Sequence, residues 1–486
     1  RCALPIWRLK EELKGISDDL SDKIITVEHH KAHAAGAFFT SGWNKCVVLT
    51  IDAAGDGVSS KIYVGDDQEL KPVAESSYLD SLGDLYASIT EMLGFIPMRH
   101  EGKIMALAGF SEEESHDLSE CIEVKGLSFE NHLEVTGSES VKKISEKVGF
   151  PLNRKEECSN VLRKGKKDHE LWELSTNLAN SAQSHLENML SGLGNNMIRC
   201  VDEKEETGGK IAYAGGVAQN VKGNRILREK FSDCWIFPHM GDGGLALGAA
   251  LYLNAKSGER KKKWDWKDDT ESVYLGPKYS SRSIERTIEK EEEVTGEKVN
   301  DKEEVAADLL AEKKIVALFQ GRIEYGPRAL GNRSILADPS TESVRDRLND
   351  KLGRDAFQPF SPTILERYKD TYLKDPEKNR FMTMSFETTE RAREDIPAAL
   401  HVDGTCRPQI LKKEDNETFY NIVDGFEKQT GIGAVLNTSF NLHGEPIVCS
   451  PDDAVSSFER MELDALLMGM RNKSSFILVK RTSPGT

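Results

Sequence analysis

Three segments of this chain share the pattern that most restricts its local structure: a buried strand that runs directly into a glycine turn. They are residues 46–57, 211–220 and 235–250. Glycine lets a ligand approach the backbone closely, and the N–H groups of such a turn can contact a phosphate. The turns therefore predict nucleotide contacts, and the candidate residues are Gly55, Gly215, Gly216, Asn220, Gly241 and Gly243. A plain tight turn between two elements uses the same residue types.

An alanine-rich segment before the first of these strands carries His29, His30 and His33. In a helix, residues four apart project from the same face, so His29 and His33 converge as metal ligands must. Asp52 and Asp242 fall on glycine turns, where a carboxylate can join imidazoles around a hard cation. We predict a metal site beside a phosphate-binding turn. The alternatives are a solvated helix face for the histidines and simple helix capping for Asp242.

A second cluster of candidate residues is basic and lies in residues 321–335, where arginines alternate with glycines and a proline. The arginines are Arg322, Arg328 and Arg333. Guanidinium groups grip phosphate or carboxylate oxygens in pairs, so we predict an oxyanion site rather than a surface loop. Arg354 adds a fourth cation. Lys103, between a glycine and an apolar helix start, is either a phosphate contact or a surface charge.

A strand near the C-terminal end, residues 434–442, finishes in amides and hydroxyls that include Asn437 and Ser439. Such side chains can hold a nucleotide or a small polar acyl group, although they also form turns.

The length and composition exclude several classes of protein. A chain of 486 residues predicts two or three domains. The net charge of −16 argues against a general nucleic-acid binder, and no apolar run is long enough to span a membrane. The eight cysteines are scattered without a Cys-x-x-Cys pair, which predicts free thiols and a cytoplasmic location. Residues 111–170 are charged, and their pattern gives no role.

Taken in order, these motifs closely resemble the O-carbamoyltransferases of antibiotic and nodulation-factor biosynthesis. The motifs are His-His-x-x-His-Ala from His29, Asp-x-x-Gly-Asp-Gly from Asp52, Gly-Gly-Val-Ala-x-Asn from Gly215, Gly-Asp-x-Gly-x-Ala-x-Gly-Ala-Ala from Gly241, Gly-Arg-x-Glu-x-Gly-Pro-Arg-Ala-Leu-Gly-x-Arg-Ser-Ile from Gly321, and Asn-Thr-Ser-Phe-Asn from Asn437. Each motif alone is moderately specific, and their shared order is very specific. The resemblance covers nearly the whole chain.

The resemblance implies an α/β fold in two parts. Residues 1–262 are expected to form an ASKHA-type (actin/sugar-kinase-like) carbamoyl-transfer domain, residues 263–300 a linker, and residues 301–486 a YrdC-like α/β domain. The family's first strand hairpin carries a histidine thought to act as the base for the acceptor. No match to that hairpin precedes Val27, so we expect the first strands of the family pattern to be missing here.

The resemblance also implies a reaction. The YrdC-like domain joins carbamoyl phosphate to ATP, which releases pyrophosphate and forms carbamoyl adenylate. The ASKHA-type domain, with a bound divalent metal (Fe or Mg), passes the carbamoyl group to an acceptor hydroxyl of a sugar or natural product and leaves AMP. A homodimer is compatible with this assignment. The rival hypotheses are a small-molecule kinase of the same superfamily and a non-catalytic nucleotide-binding pseudoenzyme.

Carried over residue by residue, the resemblance assigns four groups. The implied metal ligands are His29, His33, Asp52 and Asp242, and the nucleotide contacts are Gly216 and Asn220. The implied carbamoyl-phosphate and ATP site contains Arg322, Arg328, Arg333, Ser334, Arg354, Asn437 and Ser439, with Arg328, Arg333 and Arg354 as catalytic residues. Gln358 stands where many members carry an arginine. His30 receives no role.

Overall fold

The computed structural model describes residues 23–257, 264–268, 273–291, 294–469 and 476–481. Their strands form two large sheets, one on each side of residue 264 in the chain. We call residues 23–257 the first domain and the described residues from 294 onward the second domain. The predicted boundary at residues 262 and 263 lies outside the described residues, so the domain limits stay a prediction.

The first sheet has five strands in the order β3-β2-β1-β6-β7. Strands β1, β6 and β7 are parallel, and β2 runs antiparallel to both of its neighbours. The strands are β1 (Lys45–Gly55), β2 (Val58–Asp66), β3 (Glu69–Ser77), β6 (Lys210–Ala214) and β7 (Asp233–Ile236). The apolar run in β1 is buried on both faces, as expected for a central strand covered by helices.

Helices cover both faces of this sheet. The first-domain helices are α1 (His29–Thr40), α2 (Leu82–Met92), α3 (Glu101–Ala108), α4 (Ser138–Val148), α5 (Lys155–Arg163), α6 (Glu170–Met197), α7 (Glu203–Glu205), α8 (Val221–Lys230) and α9 (Leu245–Lys256). Cys46 and Val48 face α1 and α9, whereas Val47 and Leu49 face α2 and α6. Asp52 continues the alternation of Cys46 and Val48, which brings it to the side of α1.

Residues 111–170, which the sequence left without a structure, contain a small hairpin followed by helices α4 and α5. The hairpin strands are β4 (Ile122–Lys125) and β5 (Ser128–Asn131). Helix α4 packs on α2, and α5 packs on α6. Their apolar residues join the same core as the first sheet. This region is therefore a packed part of the first domain.

The second sheet has eight strands in the order β14-β11-β15-β10-β9-β16-β17-β8 and is mixed in direction. Its strands are β8 (Val294–Val299), β9 (Val316–Gln320), β10 (Arg333–Ala337), β11 (Ser361–Leu365), β14 (Gln409–Leu411), β15 (Ala434–Ser439), β16 (Ala465–Gly469) and β17 (Phe476–Arg481). Between β11 and β14 in the sequence, β12 (Phe386–Glu387) and β13 (Thr405–Cys406) pair as a separate two-stranded sheet.

Helices again cover both faces. They are α10 (Ser281–Ile288), α11 (Lys302–Ala311), α12 (Glu342–Leu352), α13 (Lys369–Tyr372), α14 (Glu390–Asp395), α15 (Glu417–Thr430) and α16 (Pro451–Met461). Helices α11 and α15 share one core, while α12 and α16 share the core that also contains β1 of the first domain. One apolar core thus runs through both domains.

The predicted α/β fold class is confirmed: the described residues form two large sheets with helices packed on them. The predicted linker, residues 263–300, contains α10 and β8, and both contact the second sheet. The described cysteines are free, as the sequence predicts. Within the described part of the chain, every helix is too short or too polar to span a membrane.

Candidate active site

Four predicted metal ligands come together at one end of the first sheet. His29 and His33 project from the same side of α1, Asp52 lies near the end of β1, and Asp242 lies in the turn before α9. One ligand atom of each residue lies within 4.8 Å of the others. The Nε2 atom of His33 is 3.1 Å from Asp52 Oδ2 and 3.5 Å from Asp242 Oδ1.

The electrostatics of this cluster suit a cation. Burial alone lowers the pKa of His33, but hydrogen bonds and charges of Asp242 and Asp52 outweigh burial and raise it. Burial alone raises the pKa of Asp52, but the imidazoles of His29 and His33 hold it below its ordinary value. The buried Nε2 of His29 lacks a well-oriented hydrogen bond, although it lies 3.5 Å from Asp52. Two imidazoles and two carboxylates with such an orphaned nitrogen fit a divalent metal ion.

The Gly215–Gly216 turn lies directly against this cluster. Gly215 has φ +101°, and a Cβ at this position would lie 2.1 Å from the backbone oxygen of Ile51, so only glycine fits. The N–H of Gly216 donates to Asp52 Oδ2 at 3.1 Å. The side chain of Asn220 caps α8 by accepting from the N–H of Gly223. The turn thereby orients Asp52 and exposes its own backbone to the cavity beside it.

A cavity of about 400 Å³ lies between the two domains. The first domain contributes Asp52, Gly216 and Asn220 to its wall, and the second domain contributes arginines. A smaller cavity of about 200 Å³ lies in the second domain. The residues that line both cavities are Arg328, Arg354, Gln358 and Arg407. Two cavities therefore share one strongly basic wall.

The basic wall contains one arginine that the sequence did not predict, Arg407. Its guanidinium donates from Nε and Nη2 to Ser361 Oγ, at 3.0 and 2.8 Å. Burial, and then the charges of Arg328 and Arg354, depress the pKa of Arg407 well below its ordinary value. Burial likewise lowers the pKa of Arg328 and of Arg354 to about 10. Three buried cations that repel one another are the arrangement that a bound anion stabilises.

Of the other residues predicted for the carbamoyl-phosphate site, Asn437 and Ser439 line the smaller cavity. Arg322, Arg333 and Ser334 line neither cavity. Arg333 begins strand β10, where its guanidinium lies 3.7 Å from the centre of the Phe319 ring and donates to backbone oxygens. The side chain of Arg322 donates to the backbone oxygen of Leu275.

Five predicted nucleotide contacts also lie outside the walls of these two cavities: Gly55, Lys103, Gly215, Gly241 and Gly243. Gly55 makes room for the ring of His29, because a Cβ there would lie 2.2 Å from that ring. Gly243 makes room for His239 in the same way. Gly55 therefore admits the ring of a candidate metal ligand, and Lys103 pairs with Asp355.

His30, which the sequence left without a role, fixes α1 to the sheet. Its Nδ1 is 2.9 Å from Thr50 Oγ1, and its Nε2 is 3.1 Å from the backbone oxygen of Val58. The side chain is fully buried. The histidine between the two candidate ligands therefore holds the helix that presents them.

These features define a class of protein: a two-domain α/β enzyme with a candidate metal centre in one domain and a basic anion cavity in the other. The chain belongs to the carbamoyltransferase family. The family model described as Carbamoyltransferase N-terminus matches residues 7–251, and the model described as Carbamoyltransferase C-terminus matches residues 307–473.

Several curated relatives match most of the chain. The chain is 37% identical to the uncharacterized protein MJ1051 of Methanocaldococcus jannaschii over 94% of this chain and 85% of that protein. It is 35% identical to the nodulation protein NolNO of Sinorhizobium fredii over 95% of this chain and 65% of that protein. It is 31% identical to the nodulation protein NolO of Bradyrhizobium diazoefficiens over 91% of this chain and 78% of that protein.

Among solved structures, full-length HypF in its phosphate- and nucleotide-bound form aligns with a TM-score of 0.27 and 16% identity, over 36% of this chain and 22% of that chain. The family assignment rests on the sequence matches. The predicted family and the predicted class of enzyme, a carbamoyltransferase, are confirmed.

Proposed function

We propose that this carbamoyltransferase forms carbamoyl adenylate from carbamoyl phosphate and ATP at the smaller cavity and uses it at the larger one. The observation that carries the proposal is the shared wall, since Arg328, Arg354 and Arg407 face both cavities. Asp52 of the metal-ligand cluster faces the larger cavity from the other domain. A labile intermediate formed beside the arginines would have a short, enclosed route to the transfer site.

The proposed chemistry has three balanced steps. Water cleaves carbamoyl phosphate to carbamate and inorganic phosphate. A carbamate oxygen then attacks the α-phosphorus of ATP, and pyrophosphate leaves as carbamoyl adenylate forms. Finally an acceptor oxygen attacks the carbamoyl carbon, AMP leaves, and the hydroxyl proton passes to a base. The first two steps bring several anions together, which is possible only where fixed cations neutralise them.

The described residues divide this work between them. Arg328, Arg354 and Arg407 would neutralise the reacting phosphates, and Asn437 and Ser439 would orient the carbamoyl group or the nucleotide beside them. In the first domain, Gly216 and Asn220 would contact the AMP portion. A divalent metal ion held by His29, His33, Asp52 and Asp242 would supply Lewis-acid polarisation of the acyl and phosphate oxygens. The acceptor would be a hydroxyl of a sugar or natural product.

Product analysis of the purified protein tests the proposal. With ATP, carbamoyl phosphate and a divalent metal, we expect pyrophosphate and inorganic phosphate, and AMP once an acceptor is present. Formation of ADP instead would indicate a kinase, and tight nucleotide binding without turnover would indicate a binding protein. Either result would reject the proposed reaction.

The arginine wall is tested by Arg407→Gln. This change keeps a polar side chain but removes the charge, so we expect pyrophosphate formation to fall by about 100-fold or more, in line with the loss of one fixed group that stabilises developing charge. Arg282→Gln, which alters an exposed arginine of α10 that lines neither cavity, is the matched control. Equal activity of both variants would remove Arg407 from the site.

A further inference from the structure

A buried ion pair crosses from the first domain to the second beside the basic wall. Lys103 of α3 places its Nζ atom 2.6 Å from Oδ2 of Asp355, and the two side chains are only 3% and 7% exposed. Lys103 itself lines neither cavity. A buried lysine and aspartate are costly to desolvate, and in some proteins a pair of this kind fixes one arrangement of its surroundings rather than adding stability. Its neighbours indicate which arrangement that is.

Asp355 belongs to residues 353–360, which we call the arginine loop because it carries Arg354 into both cavities. The first domain holds this loop at two further points. The N–H of Ala356 donates to the backbone oxygen of Arg163 at 3.3 Å, and the rings of Phe357 and Phe95 meet edge to face at 6.3 Å. The position of Arg354 in the second domain thus depends on contacts made by the first.

Lys103 also reaches a second loop of the smaller cavity. Its Nζ lies 3.3 Å from Nε2 of His443, and His443 lines that cavity. An ammonium group has only donors, so Nε2 of His443 must accept. The neutral imidazole therefore carries its proton on Nδ1. One lysine consequently bonds the loop before β11 and the loop after β15 and fixes the tautomer of a cavity residue.

We propose that Lys103 is a positioning residue through which the first domain shapes the anion site of the second domain. It anchors the arginine loop through Asp355 and keeps His443 as an Nδ1–H donor. The carbamoyl-phosphate readout below rests on the proposed function, whereas the phosphate-binding readout does not. A merely structural lysine would change stability alone.

The test is Lys103→Met, which keeps an unbranched side chain, one atom shorter, and removes the charge. We expect the KM for carbamoyl phosphate in pyrophosphate formation to rise about tenfold or more, with a change in kcat of no more than about threefold. The affinity for inorganic phosphate, measured by calorimetry, should fall by a similar factor. Lys103→Arg, which restores the cation, should recover part of both losses.

The matched control is Glu377→Gln, which removes another ion pair between the domains, with Arg228, but touches neither loop. We expect its KM and phosphate affinity to equal those of the unmodified protein. If Lys103→Met shows unchanged KM and phosphate affinity, or a lower melting temperature alone, the proposal is wrong.

A double variant keeps the test decisive if Lys103→Met does not fold. Lys103→Met with Asp355→Leu replaces the buried pair with apolar side chains of similar volume, which proteins often tolerate. We expect this variant to fold and still bind phosphate about tenfold more weakly. Phosphate binding as tight as in the unmodified protein would overturn the proposal. If the unmodified protein forms no pyrophosphate but its phosphate affinity depends on Lys103, the proposed reaction fails and the positioning role stands.

Discussion

His30 and His33 lie three residues apart in α1, yet their surroundings give them opposite protonation behaviour. Burial lowers the pKa of His30 to about 4, so this ring is neutral while it bonds Thr50 and Val58. His33 faces Asp52 and Asp242, and their charges raise its pKa despite its burial. The difference follows from which side of the helix meets the carboxylates, and it separates an anchoring histidine from a candidate ligand.

His33→Ala tests the ligand role at the scale of one residue. We expect the rate of carbamoyl transfer to fall by more than about 100-fold. Loss of a residue that only supports a metal ligand already lowers metal affinity or activity by about 10- to 100-fold. Pyrophosphate formation in a single turnover should remain, since the basic wall is intact. The readouts are carbamoylated product and pyrophosphate, with His132→Ala as the control because His132 is well exposed on the hairpin. Undiminished transfer in His33→Ala would refute the metal assignment.

The turn after β6 is the element that positions Asp52 and carries the proposed nucleotide contacts. Gly215→Ala adds a Cβ that would overlap the backbone of Ile51, at a positive φ. Gly57→Ala also introduces alanine at a positive φ, +82°, but meets no atom within 4 Å. We expect Gly57→Ala to cost roughly 1 kcal/mol and Gly215→Ala clearly more, because only the latter adds a steric clash to the backbone strain. Urea unfolding of both variants measures the difference, and equal losses would contradict the clash.

The hairpin β4–β5 gives a prediction for pH. His185 of α6 is hydrogen-bonded to the backbone oxygen of Ile122, and burial is the main cause that lowers its pKa below 6.5. Below about pH 6.5, His185 is therefore protonated more readily in the unfolded chain than in the folded chain. The free energy of unfolding consequently falls as the pH drops below that value. We expect His185→Gln to weaken this dependence. Melting temperatures of both proteins at pH 7 and pH 5 measure this dependence. An equal drop in melting temperature for the two proteins would show that His185 is not its source.

The elements also explain which site residues the sequence could predict. Residues fixed by local geometry were predictable: helical spacing brought His29 and His33 together, and glycine turns marked Asp52 and Asp242. Arg333 looked like part of a loop cluster, but it starts β10, where strand alternation directs its side chain into the core. Arg407 stands alone between a cysteine and a proline, and only long-range folding brings it beside Arg328 and Arg354. Local sequence patterns do not show which residues distant in the chain become neighbours in the fold.

At the scale of the whole molecule, the strongly acidic chain has an interface between its domains that is arranged by sign of charge. Among the described residues, four ion pairs join the two domains: Lys103 with Asp355, Lys222 with Asp403, Arg225 with Glu387 and Arg228 with Glu377. In each of them the first domain supplies the cation and the second domain the anion. Complementary charge and the continuous apolar core therefore both join the two domains.

Reversing one of these pairs tests the arrangement. Arg228 Nη2 and Glu377 Oε1 lie 2.9 Å apart. Arg228→Glu and Glu377→Arg should each lower the free energy of unfolding, because each variant places two like charges at this contact. The double variant should recover part of the loss, with a coupling energy of roughly 0.5–1 kcal/mol, because Glu377 is partly exposed and solvent screens the pair. Urea denaturation of the unmodified protein, the two single variants and the double variant measures the coupling energy as a double-mutant cycle. A coupling energy of zero would mean that packing alone, without complementary charge, sets how the domains meet.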